Sequence, residues 1–339
     1  MAWLRRGDPR VAIANAALLP LLLADPGNTL YLDTFYAEWT ALLAAYALCA
    51  LILLWRDASC SRLRFLLLAL AAFALGAAKI QHLVLPLGLA AVVLVIDRLR
   101  LGHVSWRALA VLLGASGGFA LQFAQLQREG PMMDAIDQYN RADVVFTALL
   151  PFADDRRALL AELDIDPDCA VYSGHRAWQF PDMPERVCHG LEDFGRGKEL
   201  ATLLRHPRIA LRLAGHGVLA LEPWIAENLG QVEGGEFAVM PAAQPGIGRV
   251  LQAYPFAQLV ILGLPLLTLL RLLVRRELRG RALEGNVLVV VTMLGTLTVA
   301  VLGDGLADVA KQGHLVVNMA FAWVFACIVT TWPRSLDRA

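Results

Sequence analysis

The sequence predicts an all-α polytopic membrane protein, with about eight transmembrane helices and a large, mostly helical extracytoplasmic insertion. Of the 339 residues, 58% are hydrophobic and only 18% are charged, whereas soluble domains average about 45–50% and about 25%. The apolar residues are collected in blocks long enough to cross a bilayer. Arginine is concentrated in every second connection between these blocks, as expected when those connections lie in the cytoplasm.

Five of the predicted spans fall in residues 1–123. They occupy residues 11–24, 39–55, 65–78, 83–96 and 108–123. The third and fourth are short and are joined by residues 79–82, so a re-entrant hairpin is the alternative to two crossings. The first is also short, and because it follows Arg5 and Arg6 it resembles the apolar region of a signal peptide. It lacks a small-residue cleavage site, which favours a helix that stays in the protein.

The predicted insertion covers residues 124–248 and carries more acidic than basic side chains. Leucine spacing predicts a short helix over residues 155–163 and a longer amphipathic helix over residues 198–221, interrupted at Pro207. A stretch around Trp178, rich in proline and aromatic residues, predicts a loop between them. Cys169 and Cys188 also lie here and are either a disulfide or two free thiols. The cysteine spacing does not predict a zinc site.

Three further spans are predicted in residues 249–339, at residues 250–270, 287–302 and 315–332. The distribution of arginine over all connections predicts that both termini are cytoplasmic and that the insertion is outside. The composition is rich in Ala, Leu and Arg and poor in Lys, which indicates a high-GC bacterium and therefore its cytoplasmic (inner) membrane. The formal net charge is zero, so no basic field predicts a nucleic-acid partner.

The predicted outer connections contain the residues from which we predict a functional site. Asp33 and Glu38 stand beside Tyr31 and Tyr36. Acids next to aromatic rings suit the hydroxyl groups and the apolar face of a sugar. Each residue also has an ordinary structural reading, the acids as helix caps and the tyrosines as interfacial aromatic residues.

Two other outer connections add positive charge. One holds Lys79, Gln81 and His82, and a lysine offers a compact charge suited to phosphate, although these side chains could equally extend to the membrane surface. The last connection holds Asp304, Asp308, Lys311 and His314. If this segment is helical, the first three share one face, because they are spaced i, i+4 and i+7. Four titratable residues exceed what a connecting loop needs, which favours a functional cavity.

Short segments, in order along the chain, resemble bacterial GT-C-like membrane glycosyltransferases of cell-surface glycan assembly. Residues 31–38 are similar to their Y-F-N-S-F-Y-x-E segment, and residues 79–82 to their K-x-Q-N/H external turn. Residues 139–165 resemble their external Y-N … D-P … L-G-I stretch, and residues 204–207 their H-P segment. Residues 303–318 resemble their G-D-G … K/R-H … N run.

The resemblance implies a hexosyltransferase that moves a hexose from a polyprenyl-phosphate sugar to a glycan or lipid-linked acceptor at the extracytoplasmic face. For such an enzyme we expect Asp33 to be the base that activates the acceptor hydroxyl, with Glu38 as the alternative. The expected substrate-binding residues are Tyr31, Tyr36, Lys79, Gln81, His82, Asp304, Asp308, Lys311 and His314. The lysines and histidines among them would hold the lipid phosphate. The two acids of the last connection would orient these cations or bind a divalent metal ion.

GT-C enzymes usually have more spans and an acidic motif in their first external loop. The resemblance therefore implies that an N-terminal portion is missing here or is encoded separately, and it leaves two other functions open. A lipid-linked glycan transporter or flippase predicts polar residues deep in the spans, where the sequence has few. A non-catalytic subunit of a glycan-assembly complex predicts a short membrane protein partner that carries the acidic motif.

Overall fold

The computed structural model describes residues 20–29, 37–221, 247–276 and 280–331, which are mostly helical and contain no strand. The principal helices, in chain order, are α1 (Glu38–Leu54), α2 (Arg62–Ala78), α3 (Val84–Leu101), α4 (Trp106–Arg128), α5 (Gly130–Asp143), α6 (Arg156–Glu162), α7 (Arg196–Arg205), α8 (Pro207–Leu219), α9 (Ile247–Ala253), α10 (Pro255–Val274), α11 (Arg281–Asp304) and α12 (His314–Thr331). A π-helix lies at Val144–Leu149. Shorter helical turns lie at Pro26–Thr29, Ile80–Leu83, Leu150–Phe152, Pro167–Tyr172, Ala177–Gln179, Pro184–Val187, Leu191–Asp193 and Val309–Gln312.

Among the described residues, four helical stretches are long and apolar enough to cross a membrane. They are Ile80–Leu101, Trp106–Arg128, Phe256–Val274 and Arg281–Asp304. Helix α1 is also apolar but has only 17 residues. The spans predicted at residues 65–78 and 315–332 correspond to α2 and α12, whereas most of the span at residues 11–24 falls outside the described residues. The helical class is confirmed, and the count of eight crossings stays a prediction.

The chain divides into two compact units. The first comprises Met1–Gln122, Pro223–Thr296 and Gly313–Ala339. It contains the whole of α1, α2, α3, α9, α10 and α12, and most of α4 and α11. The second comprises Phe123–Glu222 and Leu297–Gln312, and it contains α5 to α8 and the end of α11.

Small residues let α2 and α4 approach closely within the first unit. A methyl group added to Gly114 would overlap the backbone carbonyl of Ala69, and one added to Gly118 would lie 3.1 Å from the backbone of Gly76. Close backbone approach of this kind stabilises helix pairs in membranes through dispersion contacts. The C-terminal half of α2 is thereby held against α4, and α2 ends at the connection that carries Lys79.

The second unit is built around the π-helix Val144–Leu149, all 6 of whose residues are buried. Phe146 packs on Phe180 with ring centroids 5.0 Å apart, and Tyr172 stacks on Phe180 at 4.4 Å. Cys169 and Cys188 form a disulfide, which decides between the two alternatives that the sequence leaves open.

The helices predicted over residues 155–163 and 198–221 are confirmed. Helix α6 begins after Asp155, whose carboxylate accepts the Ala158 amide hydrogen at 3.0 Å. The longer predicted helix is observed as α7 and α8. The two are separated at His206, because the residue before a proline is disfavoured in a helix.

The residues from Asp304 to Lys311 do not form one helix, so the condition under which Asp304, Asp308 and Lys311 would share a helical face is not met. Helix α11 ends at Asp304, and Gly305 adopts a left-handed backbone with φ of +61°. A side chain at Gly305 would overlap the backbone carbonyl of Asp143, so glycine is required where the chain turns. Close packing within the second unit therefore overrides the helical spacing.

Candidate functional site

A buried ion pair joins the start of α1 to the connection after α2 in the first unit. Lys79 Nζ lies 3.0 Å from Glu38 Oε1, and the Glu38 side chain is 0% exposed whereas that of Lys79 is 26% exposed. The backbone of Lys79 is extended, and the 3₁₀ turn Ile80–Leu83 follows it. The break between α2 and α3 thus places the ammonium group against the first residue of α1. A buried carboxylate needs such compensation.

Histidine and glutamine side chains extend this pair into what we call the Glu38 cluster, comprising Glu38, Lys79, Gln81, His82 and His314. The two histidines are almost completely buried, and both interact electrostatically with Glu38. Three buried polar atoms, Glu38 Oε2, Gln81 Oε1 and His82 Nε2, have no hydrogen-bond partner among the described residues. Buried polar atoms are normally satisfied. These three atoms therefore need a hydrogen-bond partner from outside the described residues.

Two buried asparagines continue the Glu38 cluster, and the predicted site residues do not include them. The side-chain amides of Asn28 and Asn318 bond each other reciprocally, at 2.8 and 2.9 Å. Asn318 also donates to the His314 carbonyl at 2.9 Å, and the Tyr46 hydroxyl donates to the Asn318 carbonyl at 2.8 Å. The signal that could have identified Asn318 is an amide inside an apolar helix, since such residues usually face a polar interior.

The Glu38 cluster combines a proton acceptor with positive charge. One carboxylate oxygen of Glu38 is held by Lys79, and the other keeps its lone pairs. Lys79 supplies ammonium donors, and each histidine ring supplies a nitrogen that donates or accepts according to its tautomer. This set suits a ligand that presents both a hydroxyl group and an anionic group.

The predicted site residues fall into three sets. In the first unit lie Glu38, Lys79, Gln81, His82 and His314. In the second unit lie Asp304, Asp308 and Lys311. Outside the described residues lie Tyr31, Asp33 and Tyr36, whose roles stay predictions.

The charged residues after α11 have close partners within the second unit. Lys311 is ion-paired with Asp308, and the Gln312 amide donates to Asp304 at 2.5 Å. Lys311 is almost buried, so this pairing supplies the compensation that a buried cation needs. The described residues contain no group of three or more His, Cys, Asp or Glu side chains placed to hold a metal ion. The role in binding a divalent ion expected of the two acids gains no support from this geometry.

Asp143 is a buried carboxyl of the second unit that was not among the predicted site residues. It ends α5 at the start of the π-helix and accepts the Ala177 amide hydrogen at 2.7 Å. Burial raises the pKa of Asp143 to about 8; the charges of Asp304 and Asp308 add to this increase, and the Ala177 hydrogen bond opposes it. π-Helical segments frequently occur at functional sites. A clue in the sequence is that this acid directly precedes an apolar run within an otherwise polar segment.

A second ionic centre, which we call the Arg107 network, lies near the other end of α1 in the first unit. Arg107 is 1% exposed and donates to both carboxylate oxygens of Asp97, at 2.5 and 3.2 Å, and to Glu284 at 2.9 Å. Asp97 and Glu284 are both 0% exposed. Arg56 pairs with Glu284 at 2.7 Å, and Arg100 contacts Asp97 at 3.3 Å. From the arginine distribution, Arg56, Arg100 and Arg107 are expected to lie in the connections between spans. No sequence pattern identifies the acids with which they pair.

The long apolar helices and the charges buried between them define a helical membrane protein. Residues 4–335 match the family model of the YfdI N-terminal transmembrane domain. Because the match covers nearly the whole chain, the protein belongs to this family, and its prediction as a membrane protein is confirmed. No curated protein and no solved structure matches the chain.

Proposed function

We propose that this transmembrane domain is a glycosyltransferase that moves a hexose from a polyprenyl-phosphate donor to a hydroxyl of a glycan or lipid-linked acceptor. The observation that carries the proposal is the environment of Glu38. One oxygen of its carboxylate is held by Lys79 at 3.0 Å, and the other is buried without a hydrogen-bond partner among the described residues. A carboxylate held in this way is able to accept the proton of a hydroxyl group. The resemblance to GT-C-like enzymes supports the two substrate classes.

The proposed step is a direct displacement at the anomeric carbon of the hexose. Glu38 takes the proton of the acceptor hydroxyl while the hydroxyl oxygen forms a bond to that carbon. The bond from the carbon to the phosphate oxygen breaks, and its electron pair stays on the phosphate. Polyprenyl phosphate therefore leaves with one more negative charge. Asp33, the base predicted from the sequence, is the alternative to Glu38 in the same step.

The ammonium group of Lys79 stabilises the leaving phosphate. Charge fixed in place before the reaction stabilises a developing anion without a cost of reorganisation. Lys79 is suited to this role because its side chain is 26% exposed while it remains paired with Glu38. His82 adds a buried ring nitrogen that has no partner among the described residues.

A transfer assay with lysine variants tests the proposal. The full chain, purified into liposomes that contain bacterial envelope lipids as acceptors, is given a polyprenyl-phosphate hexose labelled in the sugar. We expect Lys79→Ala to raise the donor KM by about tenfold or more, since a hydrogen bond to a charged group contributes about 1.5–3 kcal/mol. Lys198→Ala is the matched control, because Lys198 pairs with Asp164 in the second unit at 3.1 Å. An unchanged KM in Lys79→Ala would contradict the proposal.

Buried polar residues in the spans favour a second candidate, a lipid-linked glycan transporter or flippase. The sequence predicts few such residues, yet Asn286, Thr292 and Thr296 are buried on α11 and Asn318 on α12. Polar side chains at this depth often mark a substrate path. Two of them have local partners, since Asn286 donates to the Pro265 carbonyl and Thr292 bonds within its own helix. Movement of a fluorescent polyprenyl-phosphate hexose across the liposome bilayer, without release of polyprenyl phosphate, would favour transport over transfer.

A further inference from the structure

An open cavity of about 660 Å³ lies beside the Arg107 network in the first unit. Its wall is formed by the connection after α1, the end of α3 and the start of α4. The lining includes Arg56, Asp57, Cys60, Arg100, Trp106 and Arg107. The Glu38 cluster is at the other end of α1, so the binding of a ligand in this cavity does not depend on the proposed sugar transfer.

The wall of the cavity carries an excess of positive charge. Its lining includes three arginines but one acid, Asp57. That acid is shared, because it pairs with Arg100 at 2.6 Å and also with Arg281. The other two acids of the network, Asp97 and Glu284, are fully buried and do not line the cavity. They hold the arginines from the protein side, which leaves a positive field at the wall.

Two features supply hydrogen-bond donors and further positive potential at this wall. Arg100 donates from its terminal nitrogens to Asp57 at 2.6 Å and to the Arg56 carbonyl at 2.8 Å. Its Nε is buried without a hydrogen-bond partner among the described residues. Helix α4, 23 residues long, also begins here, with Ser105 accepting the Ala108 amide hydrogen at 3.2 Å as its cap. The N-terminal end of a helix favours anions.

We propose that this cavity binds the phosphate group of an anionic lipid headgroup. Guanidinium groups match phosphate because they present parallel donors in a fixed plane. Leu99, Leu101 and Val104, next to the wall, expose large apolar side chains that are suited to acyl chains. Trp106 at the wall is the residue type that is enriched at headgroup level. A soluble phosphate ester shares the headgroup chemistry, and the apolar neighbours favour the lipid.

Native mass spectrometry of the full chain tests this proposal. The chain is stripped of lipid in detergent and titrated with phosphatidylglycerol or with phosphatidylcholine. We expect wild type to retain phosphatidylglycerol preferentially, and Arg100→Gln to bind it about tenfold more weakly, because a charge-assisted hydrogen bond is lost. The matched control is Arg98→Gln, which removes the same charge from an exposed position of the same helix and should bind like wild type.

A second variant keeps the test valid if Arg100→Gln does not fold. Cys60 is exposed at the wall and has no part in the network, so Cys60→Asp should weaken retention by repulsion alone. Inorganic phosphate is the third probe. Binding of inorganic phosphate by a wild-type chain that does not retain phosphatidylglycerol would indicate a soluble phosphate ester and overturn the lipid assignment. Equal retention of the two lipids by wild type, or equal losses in the Arg98 and Arg100 variants, would overturn the site itself.

Discussion

Replacing Arg107 with methionine removes a buried charge while keeping much of the side-chain volume. In the wild-type fold, Arg107 donates to both oxygens of Asp97 and to one oxygen of Glu284. Without it, Glu284 keeps the Arg56 ion pair at 2.7 Å, but within the part of the chain that the structure describes Asp97 keeps only the longer contact with Arg100 at 3.3 Å. Asp97 therefore becomes the poorly compensated charge in Arg107→Met.

The expected cost is large because both acids are completely buried. Breaking a buried ion pair by removing one partner costs about 3–5 kcal/mol, most of it the penalty of the charge left behind. Neutralising that charge should restore part of the loss. We therefore expect Asp97→Asn combined with Arg107→Met to be less destabilised than the sum of the single variants, by about 1–3 kcal/mol.

Unfolding of the full chain in mixed detergent and SDS, followed by circular dichroism, measures these free energies. Arg98→Met is the control, since Arg98 lies near the same end of α3 but is exposed. Its free energy of unfolding should change by no more than about 0.5 kcal/mol. Strict additivity of the Asp97 and Arg107 substitutions, or a similar loss in Arg98→Met, would refute the coupling inferred from the geometry.

Three further predictions concern the second unit. Because the pKa of Asp143 is raised to about 8 in the folded protein, the folded state is more stable with this carboxyl protonated, and that stability is lost as pH rises through this value. The melting temperature of wild type should therefore fall more between about pH 5 and pH 9 than that of Asp143→Asn. Cys188→Ser removes a cross-link of sequence separation 19 and should cost about 3 kcal/mol, and reducing agent should destabilise wild type but not this variant. Gly305 and Gly174 both have positive φ, but only at Gly305 would an added methyl group overlap neighbouring atoms. Gly305→Ala should therefore lower the melting temperature more than Gly174→Ala, and equal effects would contradict that reasoning.

The sequence was sufficient where structure is decided locally. The break between α7 and α8 follows from Pro207, and the start of α6 follows from the cap at Asp155. Both effects act within a few residues, so single-sequence patterns contain them. Glu38, Lys79 and His82 were also identifiable, because charged residues at the ends of apolar helices stand out from their surroundings.

The Arg107 network could not be predicted in this way. The two acids that bind Arg107 are 10 and 177 residues away along the chain. Helix packing brings them together, and one sequence does not record which helices pack. The need for glycine at position 305 has a similar origin, since a side chain there would overlap the Asp143 carbonyl. An i, i+4 spacing carries no information about that contact.

The rate at which the purified full chain releases polyprenyl phosphate from a polyprenyl-phosphate hexose tests most directly whether Glu38 acts as the base. Loss of a general base typically slows a reaction by about 10²–10⁴-fold, so Glu38→Gln should show a decrease of that size. Donor affinity should not fall, because Lys79 and the histidines remain. Release by Glu38→Gln at the wild-type rate would contradict the assignment.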